Sequence, residues 1–128
     1  MGARRSGIKG QGVTIAIYEP GPYLRESMNK YFPGRWKSTP GYEMKDPTAF
    51  PDLDKDDQNH ASNVACCANF VAPEAVFSLC ECSPQTHEQG KERLEGLIRN
   101  QNIHIVNKSM APIRDGTGFP DIYSDTSI

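Results

Sequence analysis

Residues 10–21 read G-Q-G-V-T-I-A-I-Y-E-P-G, and the run Val13–Tyr18 at their centre decides the fold. That run is mostly apolar, rich in β-branched residues, and bounded by Gly12 and Pro20. A strand with one wet face alternates polar and apolar residues, whereas a strand covered on both faces reads as one apolar stretch. Strands of the second kind belong to parallel sheets, whose crossover helices cover both sides.

Working outward, the next signals alternate between helix and strand. Tyr23–Phe32 carries Leu24, Met28 and Tyr31 at helical spacing, and Pro33-Gly34 stops it. From Gly34 to Asn59 the signals are Pro, Gly and Asp, with Arg35–Ser38 a candidate edge strand. Ala61–Val71 is rich in small and apolar residues, with Val64, Ala68 and Val71 on one face, and Pro73 ends it. Ala75–Cys82 reads as a strand stopped by Pro84. Thr86–Asn100 is charged, with Leu94, Leu97 and Ile98 marking the buried stripe of an amphipathic helix. Ile103–Val106 begins a further strand. This alternation predicts an α/β domain with a mainly parallel sheet and flanking helices.

Length and composition set the remaining bounds. A chain of 128 residues suits one domain, so residues 1–128 are read as a single unit, with 112–128 an irregular tail. Hydrophobic residues make up 37%. That is below the usual ~45–50%, which predicts a thin core. The net charge of −2 and the lack of a basic stripe argue against a nucleic-acid binder. No apolar run approaches the ~20 residues needed to cross a bilayer, and no hydrophobic stretch follows Arg4 and Arg5 as in a secretory signal. A cytoplasmic location is the default expectation. The cysteines fall as Cys66-Cys67 and Cys80-x-Cys82, neither of which is the usual zinc-ligand spacing, so buried free thiols are expected.

Four segments together resemble the N-terminal part of the catalytic domain of subtilisin-like serine proteases. Residues 10–21 are similar to the family's G-x-G-V-x-V-A-V-I-D-T-G, whose strand delivers the catalytic aspartate; Glu19 stands at the matching position. His60–Cys66 (H-A-S-N-V-A-C) looks like H-G-T-H-V-A-G, in which the first histidine is the general base. Val71–Ala75 (V-A-P-E-A) is similar to the V-A-P-x-A turn that follows the histidine helix. Ile103–Ala111 (I-H-I-V-N-K-S-M-A) is similar to the D-V-I-N-M-S-L-G strand that walls the substrate cleft, which gives Ser109 a place in that wall. The segments occur in family order over residues 10 to 111. The resemblance implies a partial subtilisin-like fold and peptide-bond hydrolysis, with peptides or proteins as substrates.

A serine triad needs a nucleophile, a base and a carboxylate that orients the base. The resemblance gives His60 the base role. A helix N-terminus also disfavours imidazolium, and a general base must start neutral. The plainer reading of His60 is an exposed residue at a helix start beside the acidic run Asp52–Asp57. Glu19 is either the orienting carboxylate, one methylene longer than aspartate, or a strand-end glutamate facing solvent. Ala61, Ser62 and Asn63 replace the family's Gly, Thr and His, which puts substrate fit in question more than fold. Nothing after Ala111 matches the family's oxyanion asparagine or its G-T-S-M-A nucleophile motif. The nucleophile is thus absent from the stretches read here, and the chain alone is expected to be inactive. No cofactor is expected; the acidic run leaves a Ca²⁺ site open, since hard cations take carboxylate oxygens.

Two functional expectations follow. One is a subtilisin-like serine endopeptidase present as an incomplete chain. The alternative is a non-catalytic degenerate homologue that binds peptides or proteins. A parallel sheet lacking its later strands is also expected to self-associate through an exposed edge.

Overall fold

The computed structural model describes residues 7–82 and 86–109. The expected irregular tail at 112–128 lies outside the described residues. Four strands form one all-parallel sheet: β1 (Thr14–Glu19), β2 (Trp36–Ser38), β3 (Val76–Glu81) and β4 (Ile105–Asn107). Their spatial order is β2-β3-β1-β4, so the segment that opened the sequence reading lies inside the sheet. β1 and β3 pair along their full lengths, from Thr14 opposite Val76 to Glu19 opposite Glu81.

The helices are α1 (Arg25–Tyr31), the single turn α2 (Lys55–Gln58), α3 (His60–Val71) and α4 (His87–Asn100). A 3₁₀ turn at Pro47–Ala49 is capped by the Asp46 side chain. Alternation along each strand sorts the core into two layers. Ile15, Ile17, Phe77 and Leu79 pack on one face against Met28, Phe32, Ala61 and Ala65, the face of α1 and α3. Ala16, Tyr18, Cys80 and Cys82 pack on the other against Leu97 and Ile103, the face of α4. Both faces of β1 are therefore covered, as its continuous apolar run requires.

Several details differ from the sequence expectation. In α3 the residues in full burial are Ala61, Ser62 and Ala65, with Val64 and Ala68 packed partly against the core and Val71 exposed. Small residues in the first turns let α3 lie close on the sheet, while Phe70 and Val71 in its last turn are exposed. Tyr31 and Ile98 are also exposed, because Met28 and Leu97 alone point squarely inward from their helices. Cys80 and Cys82 are buried free thiols, whereas Cys66 and Cys67 stand exposed on the outer side of α3. The stretch 34–59 holds the 3₁₀ turn and α2, both too short to leave a periodic signature.

Candidate functional site

The sheet topology marks one place before any side chain is considered. From β1 the chain leaves through α1 on one face, and from β3 it leaves through α4 on the opposite face. β1 and β3 are neighbours, so their C-terminal ends flank a switch point. In open α/β sheets ligands bind in the crevice at such a point.

Glu19 is the last residue of β1 and stands at this crevice. Ile15 and Ile17 face α3, and alternation turns Glu19 the same way. The chain then reverses through Gly21, whose φ of 90° favours glycine; a Cβ there would stand 2.6 Å from the Cγ of Met44. α3 begins with His60, and its N-terminal end lies over the C-terminal ends of the strands, because it runs back toward the start of β3. The result is a contact between residues 41 apart in sequence: His60 Nδ1 hydrogen-bonds Glu19 Oε2.

The pair is asymmetric in its exposure. The Glu19 side chain is only 4% exposed, and that of His60 is 49% exposed. Burial pushes the Glu19 carboxyl up from its ordinary value, while the charge of His60 and its hydrogen bond pull it down less strongly. The other oxygen, Oε1, is buried with no hydrogen-bond partner among the described residues, which is why burial dominates. His60 Nε2 has no hydrogen-bond partner among the described residues, and its ring is open to solvent on that side. Chemically this is an imidazole held by a buried carboxylate through one nitrogen, with the other nitrogen presented outward.

Nearby polar groups fall into place around the pair. The Ser62 hydroxyl is buried in the first turn of α3, with no hydrogen-bond partner among the described residues. Asn59, the residue before α3, makes no side-chain cap, and its Oδ1 is likewise buried and unpartnered. Asn63 is exposed. Ser109 lies two residues beyond the rung that pairs Asn107 with Ile17, past the end of β4. Its Oγ accepts from Asn107 Nδ2 at 2.6 Å. The solvent-facing reading of Glu19 is thereby overturned, since its side chain turns inward under α3.

No family model, curated protein or solved structure matches this chain.

Within the acidic run Asp54 Oδ1 accepts from the Asp57 N–H at 2.8 Å, capping α2. Among the described residues no group of three or more His, Cys, Asp or Glu gathers for a metal ion, and no helix is long and apolar enough to cross a membrane. Sequence reasoning missed Tyr42 and Arg93, which meet at the C-terminal end of β3 on the α4 face. The available signal was Arg93 itself, a cation four residues before the buried Leu97 and hence beside the buried stripe.

Proposed function

We propose that the chain is part of a subtilisin-like serine endopeptidase, with His60 as general base, Glu19 as its orienting carboxylate and Ser109 in the cleft wall. One observation carries this reading: two residues singled out by resemblance to separate motifs meet at the switch-point crevice as a hydrogen-bonded pair. In this role Nε2 of His60 takes the proton of a serine hydroxyl as its oxygen attacks the peptide carbonyl, then returns it to the leaving amine. Glu19 holds Nδ1–H, fixing the tautomer that leaves Nε2 bare, and stabilises the imidazolium while the tetrahedral intermediate exists. The longer glutamate reaches the ring because α3 starts directly over the end of β1.

A second reading has its own support. Among the described residues no hydroxyl is hydrogen-bonded to His60 Nε2; the Ser62 hydroxyl is buried and that of Ser109 is engaged by Asn107. In that reading the crevice binds a peptide without cleaving it.

Labelling with a fluorophosphonate separates the two, since it reacts with a serine made nucleophilic by a neighbouring base. The peptidase reading predicts label on the protein expressed from its full transcript, loss of label in His60→Ala, and no label on the 128-residue chain alone. Absence of label on the full transcript product, or label that survives His60→Ala, overturns it. Peptide binding without label leaves the second reading in place.

A further inference from the structure

The C-terminal end of the sheet has a second flank, on the α4 face, that the pair does not use. Arg93 lies in the second turn of α4, and helical side chains lean toward the helix N-terminus. Its guanidinium is thus carried up to the C-terminal ends of the strands, where Nε donates to the Glu81 carbonyl at 3.1 Å. The guanidinium lies 4.3 Å from the centre of the Tyr42 ring. Tyr42 is itself fixed at two points: its hydroxyl donates to the Arg93 carbonyl at 3.0 Å, and its carbonyl accepts from the Glu81 N–H at 2.7 Å. A long side chain is held in one geometry before any ligand arrives.

What that geometry leaves over is the fork. Both terminal nitrogens of Arg93 lack a hydrogen-bond partner among the described residues. Arg25, Arg35 and Arg99 each give a terminal nitrogen to a neighbour. The Glu43 carboxylate accepts from the Gly41 N–H, and among the described residues it makes no ion pair with the guanidinium. Glu81, which anchors Nε, is the register partner of Glu19. The anchor therefore stands one strand spacing, about 4.8 Å, from the strand that carries the pair. A ligand arched over this end of the sheet would have the His60 face on one side and the Arg93 face on the other.

We propose that Arg93 recognises a carboxylate on the peptide that lies over the Glu19–His60 pair, making the crevice selective for acidic peptides. The proposal rests on the reading of that crevice as a peptide site. A planar fork with two parallel N–H groups matches a carboxylate in bidentate fashion. One cation with the acidic Glu43 nearby suits a single negative charge. The carboxylate belongs either to an acidic side chain or to a peptide C-terminus.

The test is calorimetric titration of the full chain with three blocked hexapeptide probes, while the His60 ring signals are followed by NMR. The first probe carries a central glutamate and the second a glutamine in its place. The third is the glutamine peptide with a free C-terminal carboxylate. One carboxylate probe is expected to bind about tenfold tighter than the blocked glutamine probe, and which one it is names the source. The preference should fall within about twofold of unity in Arg93→Gln. Arg93→Lys keeps the charge, loses the fork, and should lose at least about threefold of the preference, which preserves the test should Arg93→Gln fail to fold. Equal affinity for all probes, or a preference that survives both variants, overturns the proposal. Equal affinities with moving His60 signals remove only Arg93, whereas binding of no probe removes the peptide-site reading as well. A preference that depends on Arg93 without any response of His60 overturns the placement over the pair.

Discussion

Removing His60 should cost stability in a way that depends on Glu19 and on pH. The Glu19 carboxylate is buried, and one of its oxygens has His60 as its partner while the other has none. A hydrogen bond to a charged group contributes ~1.5–3 kcal/mol, and the exposure of the His60 ring argues for the lower end. His60→Ala is therefore expected to destabilise by about 1.5 kcal/mol at pH 7 in the wild-type background. In the Glu19→Gln background the same change should cost less than about 0.5 kcal/mol, since no buried charge is left without its partner. The sign of the pH dependence follows from the raised carboxyl of Glu19. The folded state holds its proton more tightly than the unfolded state, so stability falls as pH rises from the ordinary glutamate range through the raised folded value. Below the ordinary range both states are protonated and the contribution is flat. Glu19→Gln removes that slope, and the coupling to His60 fades as Glu19 takes up its proton. Urea unfolding of the four proteins of the cycle at pH 7 and at pH 4 measures all of this. A coupling under about 0.3 kcal/mol at pH 7, or one unchanged at pH 4, refutes the reasoning.

Other consequences are open to simple assays. Cys66 and Cys67 are exposed while Cys80 and Cys82 are buried, so a thiol reagent should titrate two groups in the native protein and four in denaturant; four at once would contradict the packing of β3. Leu97→Ala empties the α4 layer at a fully buried position and should cost ~2–5 kcal/mol in denaturant unfolding. A loss below about 1 kcal/mol would mean that α4 is not seated on the sheet. Among the described residues β2 and β4 are the outer strands, and Ile105 on β4 is 51% exposed, so sedimentation should show self-association that Ile105→Lys reduces. A chain that is monomeric at every concentration tested would remove that edge as a contact.

The sheet was legible in the sequence because a strand buried on both faces has no choice but to read as Val13–Tyr18 reads. The helix over residues 61–71 was legible for a related reason, since its small residues and Pro73 left no competing structure. The inward faces were harder. Val71 and Ile98 sit at helical spacing from buried neighbours, and periodicity cannot show that both turn outward. Glu19 and His60 each had a plain alternative when read alone. Only the strand pairing and the placement of α3 bring them together, across 41 residues that carry little periodic pattern. Arg93 was hidden because a cation on a charged helix looks like solvated surface until Tyr42 and Glu81 are seen to hold it.

The measurement that bears most directly on the Glu19–His60 pair as a general-base site is ¹⁵N NMR of the His60 ring in its neutral form. A base oriented by Glu19 must carry its proton on Nδ1 and leave Nε2 bare, and Glu19→Gln should disturb that preference. Observation of that tautomer, and its loss in the variant, is the predicted result. A proton on Nε2 in the wild-type protein, or a ring indifferent to Glu19→Gln, would contradict it.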